Sequence, residues 1–546
     1  MASQDNKRVI RIESILGGHA PTTHFAASNQ FRSSLGIDPA LPWDDDYSPD
    51  GSGNATSMIS SGLLRPVSVR NLSTTSAISG YPLWFKDNPK LATKLYVYTS
   101  NGSVYSITNL AAPSGLGDLN DGGTAAGNGA EYYDNYMYFA RNTTVARYGP
   151  LNGTPAFTDD YWVTTLSKTA LSNTEYPAEI LSAEQYPNHV LHRHSDGRLY
   201  IADVVDNKGT IHYIETTKTT VEGDTDNGST YNKVQVGYGL WPTAMESYGS
   251  DLVIAFHEGT ADGSQGNSQN AKIAFWDTTS QNVNKLTWVE FPDNLVSGMK
   301  NINGVLYVFS GSPWAGGFRI SRFIGGYTFE EVYFSENGVP PFPGAIDGEG
   351  KRLLFGSYTN TPEYAACVYS FNLHKNISNN GVFNVFRATT DDDTVTAIKL
   401  WEDSFSSAKS SLIKDLVVGN TGKSIDITDS ASYQYAPSVW WSQTYRIGQP
   451  FKITAVKIGL AQAISTNHIL TAKIYLDNDR SGQSPYVLQT INNTNYSGKN
   501  RIVLRNDSAG DAILGQNHFW LELKWTGSSL LTVELPITIE YELIDE

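Results

Sequence analysis

The sequence predicts an all-β protein, with a β-propeller of five to seven blades followed by a jelly-roll-like β-sandwich. Short runs rich in Val, Ile, Tyr, Phe and Thr alternate with Gly, Asn and Asp over most of the 546 residues, which is the pattern of strands joined by turns. Aromatic residues make up 12% of the chain and charged residues only 17%, so apolar surface is available for a core. A turn-and-strand element also recurs through the middle of the chain, and the pattern changes near residue 436.

The recurring element is a short turn of Asp, Asn, Gly or Lys followed by an apolar and aromatic strand. One apolar residue from each copy marks its position: Leu95, Tyr136, Leu199, Leu252, Leu306 and Leu353. The intervals are 41, 63, 53, 54 and 47 residues, and about 40–55 residues hold the four strands of a propeller blade. The interval of 63 residues requires a loop insertion. We expect the strand Leu63–Val69 to complete a seventh blade with a strand near 382–400, which leaves no open sheet edge.

Changes in composition predict the domain boundaries. Residues 1–62 are rich in Gly, Pro, Ser and Asp after residue 17, and predict either an extended arm that lies on a neighbouring subunit or a flexible leader. Residues 63–402 are predicted to form the propeller, and residues 403–435 a linker that begins with a polar segment. Residues 436–546 carry about eight alternating strands, which predict the sandwich.

Charge and cysteine content exclude several classes of function. The chain has 39 Lys and Arg against 55 Asp and Glu, for a net charge of −16, and no clustered basic face for sequence-specific nucleic-acid binding. The single cysteine, Cys367, excludes an intrachain disulfide and a cysteine-based zinc site. No stretch approaches the length of a membrane helix or a signal peptide. We therefore expect synthesis in a cytoplasm and no membrane partner.

Motifs for nucleophilic and metal-dependent hydrolysis are missing from the sequence. There is no Gly-x-Ser-x-Gly elbow and no His-Glu-x-x-His helix. The segment Gly419–Ser424 ends like a phosphate-binding loop, but Val417 stands where the first glycine is required, so a plain turn is predicted. The sequence predicts no enzyme and no cofactor. A polysaccharide-degrading propeller stays open as an alternative, because paired carboxylates could come from different blades.

Two segments contain metal-ligand residue types. Residues Asp477–Gly482 match the first six positions of an EF-hand loop, with Asp477, Asp479 and Ser481 as the oxygen ligands, but the twelfth position is Leu488 and strands flank the loop. These residues are a calcium candidate, and a turn between strands is the favoured interpretation. His192 and His194 would share one face of a strand, but no acidic third ligand has a suitable spacing. No metal site is predicted there.

Two tryptophans lie in segments that read as loops between strands. Trp241 lies in Tyr238–Pro242 and Trp314 in Gly311–Gly317. Exposed loop aromatics can stack on sugar rings, whereas packed ones lie beneath the loop or at a subunit interface. Both tryptophans are therefore candidates for glycan or interface contacts.

The chain resembles structural proteins of tailed-bacteriophage virions. The specific segment is Trp441–Ile458, WSQTYRIGQPFKITAVKI, which is similar to the opening of terminal sandwich domains in phage tail proteins, and the propeller resembles nozzle and tail-tip proteins. The resemblance implies a nozzle, tail-tip or baseplate-type protein that forms a rigid homo-oligomeric ring or spike with other tail proteins. It implies a location in the virion tail, with DNA passing through the assembly past acidic surfaces. A glycan-binding host-recognition module is the alternative.

Overall fold

A computed structural model of the chain gives the arrangement of its strands. The described residues are 6–15, 18–19, 30–37, 63–64, 66–67, 69–73, 77–89, 91–108, 111–119, 126–141, 145–162, 190–205, 208–214, 234–258, 270–279, 287–311, 317–335, 340–350, 352–356, 367–372, 382–387, 394–401, 414–428, 438–476, 485–529 and 531–544. Almost all of the secondary structure in them is β-strand. The exceptions are a 3-10 turn at Pro343–Ala345 and one helical turn at Asn493–Tyr496. None of the helices in the described residues is long and apolar enough to cross a membrane.

The chain divides into two compact units. One comprises residues 1–70, 367–389 and 428–546, and contains a β-sandwich. The other comprises residues 71–366 and 390–427, and contains most of a β-propeller.

Seven four-stranded sheets follow one another in the described residues and form the propeller blades, in agreement with the predicted five to seven. Adjacent strands within a blade run antiparallel wherever the register is defined. In chain order, with the innermost strand first, the strands are as follows: blade 1, Pro82–Asn88, Leu91–Thr99, Ser103–Thr108 and Ser114–Asp118; blade 2, Ala126–Tyr133, Tyr136–Arg141, Val145–Gly149 and Ala156–Trp162; blade 3, Val190–Arg193, Leu199–Val205, Lys208–Ile214 and Val234–Tyr238; blade 4, Leu240–Tyr248, Asp251–Glu258, Lys272–Trp276 and Thr287–Glu290; blade 5, Leu295–Ile302, Val305–Gly311, Phe318–Gly325 and Thr328–Ser335; blade 6, Ile346–Glu349, Arg352–Gly356, Cys367–Asn372 and Val382–Arg387; blade 7, Val395–Trp401, Asp415–Asn420, Ile425–Thr428 and, from the N-terminal side, Val69–Ser73.

The innermost strands of the seven blades form a closed ring. Each one contacts the innermost strand of the next blade, and the strand Val395–Trp401 of blade 7 contacts the strand Pro82–Asn88 of blade 1. Apolar cores fill the space between neighbouring blades. Between blades 3 and 4, for example, Tyr200 and Phe256 are fully buried in one cluster with Trp276. Each blade thus buries its apolar faces against its neighbours.

The recurring turns of the sequence are the hairpins between the first and second strands of the blades. In blade 2 Asp134 and Asn135 have φ of 43° and 65°, and in blade 5 Asn303 and Gly304 have φ of 52° and 79°. Two consecutive residues of positive φ define the hairpin turn for which Asn, Asp and Gly are preferred. The excess length in the 63-residue interval falls on residues 163–189, which lie outside the described part.

Blade 7 is closed by a strand from the N-terminal side, but the strand differs from the predicted one. Leu63 and Leu64 pair with Glu534 and Val533 of the sandwich, and the closing strand is Val69–Ser73, next to Ile425–Thr428. Asn71 Nδ2 donates a hydrogen bond to Asp426 Oδ1 at 2.7 Å. Pro66 divides the predicted run, because proline has no N–H for a sheet ladder.

The prediction of a linker over residues 403–435 is wrong for residues 415–428. These residues form the second and third strands of blade 7, and every residue of Asp415–Asn420 is buried. Residues Thr421–Lys423 make the turn between the two strands, where Lys423 N donates to the Asn420 carbonyl at 3.0 Å. The phosphate-loop-like segment is therefore a hairpin turn, as predicted.

The sandwich consists of two antiparallel sheets. The first has the order Lys7–Ile12, Val533–Leu543, Phe451–Leu460 and Arg501–Leu504, with Ile513–Gly515 beside Phe451–Leu460 and Leu63–Leu64 beside Val533–Leu543. The second has the order Tyr486–Val487, Ile469–Leu476, His518–Trp525, Ser438–Trp441 and Ser33–Leu35, with Tyr445–Arg446 beside His518–Trp525 and Ile491–Asn492 beside Ile469–Leu476. The rings of Phe451 and Phe519, one from each sheet, lie 5.5 Å apart in the core.

The N-terminal segment is not an arm over the residues described. Lys7–Ile12 pairs antiparallel with residues 537–542, and Ser33–Leu35 pairs with Val439–Trp441 of the same chain. A short parallel pair, Gly18–His19 with Gln30–Phe31, lies between them in sequence. The reason is the apolar content of these short runs, since Ile12, Phe31 and Leu35 are buried. Residues 38–62 lie outside the described part.

Candidate functional site

The channel at the centre of the propeller is lined by one titratable side chain from each blade. In blade order these are Lys86, Glu131, His192, Glu246, Lys300, Asp347 and Lys399. Six of them lie two residues before the end of their innermost strand, and His192 lies one residue before the end. Equal positions in repeated strands place side chains at a similar depth along the axis. We call these seven residues the channel ring.

Ion pairs connect the inner strands of blades 5, 6, 7, 1 and 2. Lys300 Nζ lies 2.8 Å from Asp347 Oδ1, and Lys86 Nζ lies 2.6 Å from Glu131 Oε1. Lys399 Nζ lies 3.6 Å from Asp347 Oδ2 and 3.6 Å from Asp87 Oδ1. The remaining two blades contribute a histidine and a glutamate, for which the described residues show no ion pair.

Asp347 is the centre of the largest of these networks. It is 5% exposed, and its Oδ2 also accepts a hydrogen bond from the Leu400 amide at 2.9 Å. Burial alone would raise the pKa of the Asp347 carboxyl, but Lys300 and Lys399 outweigh burial and lower it well below its usual value. Asp347 raises the pKa of Lys300 in turn. A carboxylate held ionised in this way is not a proton donor, so Asp347 gives no support to a general acid of glycoside hydrolysis.

His192 and His194 are joined through a hydroxyl. Ser247 Oγ lies 2.8 Å from His192 Nε2 and 2.8 Å from His194 Nδ1, and His194 Nε2 lies 3.2 Å from the Ser250 carbonyl oxygen. The carbonyl can only accept, so His194 Nε2 donates to it, and the Ser247 hydroxyl bridges His194 Nδ1 and His192 Nε2. The pair predicted to share a strand face therefore bonds to a neighbouring blade. No group of three metal-ligating side chains occurs in the described residues.

Burial is the main cause that lowers the pKa of His192 to about 4. Repulsion from Lys86, His194 and Lys300 lowers this pKa further, whereas attraction to Glu246 raises it. Because the folded pKa lies below the unfolded value of about 6.5, the unfolded chain binds more protons between these values. The contribution of His192 to stability is complete above pH 6.5 and is lost as the pH falls toward 4. We expect the His192→Gln variant, whose amide can donate to Ser247, to lose part of this pH dependence in thermal unfolding. An imidazole resonance of His192 that titrates at or above pH 6.5 would contradict this expectation.

A second layer of the channel lies three residues earlier on the inner strands. Thr243 Oγ1 and Ser297 Oγ are buried, line the channel, and have no hydrogen-bond partner in the described part of the chain. Each is the extra residue of a β-bulge, between Pro242 and Ala244 and between Val296 and Gly298. Thr396 occupies the same position in blade 7, and its Oγ1 donates to the Pro82 carbonyl at 2.5 Å.

The turn Pro343–Ala345 lies at the end of the channel where the inner strands begin. It contacts the innermost strands of blades 7, 1 and 2, and Pro343 and Gly344 line the channel. A Cβ on Gly344 would overlap the Leu83 carbonyl oxygen and lie 3.2 Å from that of Thr396. The cavity beyond this turn has a volume of about 350 Å³, which is the size of a small-molecule site.

The candidate residues of the sequence fall elsewhere. Asp477, Asp479, Ser481 and Trp314 lie outside the described residues. Trp241 is not an exposed loop residue, because it lies in the innermost strand of blade 4 and is 5% exposed. Its ring packs 5.9 Å from the ring of His257. The prediction of Trp241 as a glycan-stacking residue is therefore wrong, since its ring is packed inside the protein.

Sequence reasoning missed the channel, although a signal for it exists. Four blades carry a tetrad of Ser, Thr or Gly, then Ala or Gly, then Ile or Met, then a charged residue. It lies within the inner strand at Thr243–Glu246, Ser297–Lys300 and Thr396–Lys399, and it begins in the preceding turn at Gly344–Asp347. Aligning the second strands of the blades, as above, passes over these tetrads. Aligning the first strands would have found them.

Comparison with known proteins gives similarity of structure only. No family model matches the chain, and no curated protein matches it. An extracellular domain from B. thetaiotaomicron, assigned to a hybrid two-component system, is 12% identical with a TM-score of 0.42, over 86% of this chain and 57% of that one. Chaetomium thermophilum Raptor is 10% identical with a TM-score of 0.42, over 67% of this chain and 29% of that one. The β-propeller domain of Myceliophteria thermophila Cps50 (Swd1) is 10% identical with a TM-score of 0.39, over 64% and 97%. The chain thus spans little more than half of the first structure, and similarity at this level carries no information about function.

Proposed function

We propose that this chain is a structural component of a bacteriophage tail, in which identical copies form a rigid ring or spike. The observation that carries the rigid role is the closed ring of inner strands, with ion pairs between five neighbouring blades and a closing strand from the opposite end of the propeller. A ring without a free inner edge resists opening, because no blade can separate without losing contacts on both sides. The phage assignment rests on the resemblance of Trp441–Ile458.

Any passage of DNA would run through the lumen of the oligomer and not through the propeller channel. A cavity of about 350 Å³ with a turn at one end is of small-molecule size. The net charge of −16 would repel the phosphate backbone and weaken adhesion of DNA to the lumen. Among the described residues, neither glycan stacking on Trp241 nor Asp347 as a general acid of polysaccharide hydrolysis gains support.

The proposal predicts a defined oligomer. Light scattering of the purified full-length chain over a range of concentrations should give a discrete mass that is a multiple of 59.8 kDa. Duplex DNA added to the same samples should not bind to the oligomer and so should not raise its mass. A basic DNA-binding protein measured in parallel should bind the same DNA. A strict monomer at the highest concentration would contradict the ring or spike.

A further inference from the structure

The channel contains polar groups that the protein itself leaves without partners. Thr243 is 2% exposed and Ser297 is 5% exposed, yet neither hydroxyl has a hydrogen bond to any described residue. Leaving a buried hydroxyl unpaired costs about 1–3 kcal/mol. The position does not impose this cost, because Thr396 at the same place in blade 7 bonds to the Pro82 carbonyl. Both side chains line the channel, but their oxygens have almost no accessible surface, so each hydroxyl must rotate about its Cα–Cβ bond to reach a molecule there.

Two further groups extend this set. Trp84 lines the channel, and its buried Nε1 has no acceptor among the described residues. Glu246 also lines the channel, and Ser247 N donates to its Oε1 at 2.9 Å, but no ion pair to Glu246 exists in the described part. The available groups are therefore one N–H donor, one carboxylate acceptor and two hydroxyls that both donate and accept.

The charges of the channel and its ion pairs balance. The cations are Lys86, Arg193, Lys300 and Lys399, and the anions are Asp87, Glu131, Glu246 and Asp347. Burial and the neighbouring lysines keep the pKa of His192 low, which makes it neutral near pH 7. A charged ligand would upset this balance among half-buried side chains, whereas a neutral one would not.

We propose that the channel binds a neutral polyol of monosaccharide size, either a free sugar or the end of a glycan. Sugar hydroxyls both donate and accept, so they match Thr243, Ser297 and Glu246, and a sugar oxygen can accept from Trp84 Nε1. The cavity of about 350 Å³ has room for one such ring. The proposal is independent of the tail function, since a channel without a ligand would leave the expected oligomer unchanged.

The test is binding of a sugar panel to the full-length chain by saturation-transfer NMR and calorimetry. Glucose, galactose, mannose and N-acetylglucosamine are the neutral probes, and glucosamine and glucuronate are the charged ones. At least one neutral sugar should bind, about tenfold more tightly than the charged analogues. Failure of every neutral sugar to bind, or tighter binding of a charged analogue, would overturn the proposal.

Variants locate the binding in the channel. Thr243→Val and Ser297→Ala should each weaken binding by about three- to tenfold, which is the effect of one neutral hydrogen bond. They should not lower the melting temperature, because each removes an unpaired buried hydroxyl. Thr158→Val, at an exposed position on the outer strand of blade 2, is the control and should change neither quantity. If both channel variants bound the sugar with unchanged affinity, the assignment of binding to the channel would be wrong.

A disaccharide that ends in the binding sugar distinguishes the two sources. Retained affinity identifies the end of a glycan as the ligand, and loss of affinity identifies a free sugar. Both results support a polyol site.

Discussion

The free energy of unfolding of the Asp347→Asn variant is expected to be about 2–3 kcal/mol lower than that of the parent chain. Removing one member of a buried ion pair costs about 3–5 kcal/mol, because the partner charge is left unpaired. Here the side chains of Lys300 and Lys399 are 30% and 20% exposed, so water compensates part of the loss. Asparagine keeps the shape and can still accept from the Leu400 amide. Denaturant titration of both proteins measures the difference.

The difference should depend on pH in a defined direction. The lysines lower the folded pKa of Asp347 below its unfolded value, so its stabilisation is complete above the unfolded value of about 3.9 and is lost as the pH falls through the folded pKa. The gap between parent and variant should therefore be largest near neutral pH and shrink in acid. A gap that is constant with pH would show that the carboxylate charge is not the cause.

An exposed ion pair provides the control. Arg322 Nε lies 2.7 Å from Glu330 Oε2 on blade 5, and the two side chains are 40% and 48% exposed. Glu330→Gln removes the same charge but leaves the arginine in water, so the expected loss is below about 1 kcal/mol. Equal losses in the two variants would contradict the role assigned to the buried network.

The periodicity of the sequence predicted the blades, because each one repeats the same hairpin turn and apolar second strand. Leu95 and Leu306 are both fully buried at equivalent places, so the same packing requirement recurs at each repeat. The strand that closes blade 7 lies a few residues later in the sequence than predicted. Strands occur on both sides of Pro66, and each contains buried apolar residues such as Leu64 and Val69. Local sequence does not determine which of two sheets a strand joins.

The channel could be predicted only in part. The charges of Glu246 and Lys300 are visible in the sequence, and so are the tetrads that contain them. The pairing of Lys300 with Asp347 depends on ring closure, which brings together residues 47 positions apart. The unpaired state of Thr243 and Ser297 depends on the exact path of two β-bulges. No property of either residue type reveals it.

The Gly344→Ala substitution is expected to lower the free energy of unfolding by about 3 kcal/mol, which is the upper end of the range for overpacking. The added methyl group would overlap the Leu83 carbonyl oxygen and press on that of Thr396. Both oxygens belong to innermost strands held by neighbouring blades, so the turn Pro343–Ala345 must move instead. Thermal unfolding measures the loss.

The Gly115→Ala variant separates this steric effect from the general effect of replacing glycine. Gly115 lies in the outer strand of blade 1, where an added Cβ would meet only the Tyr105 ring, at 3.8 Å. Alanine also restricts the unfolded chain, which favours folding by about 0.4–1 kcal/mol at a compatible site. The control should therefore be as stable as the parent or slightly more stable. If Gly344→Ala behaved like this control, the turn would not be packed against the inner strands, and the channel would be open at the end where they begin.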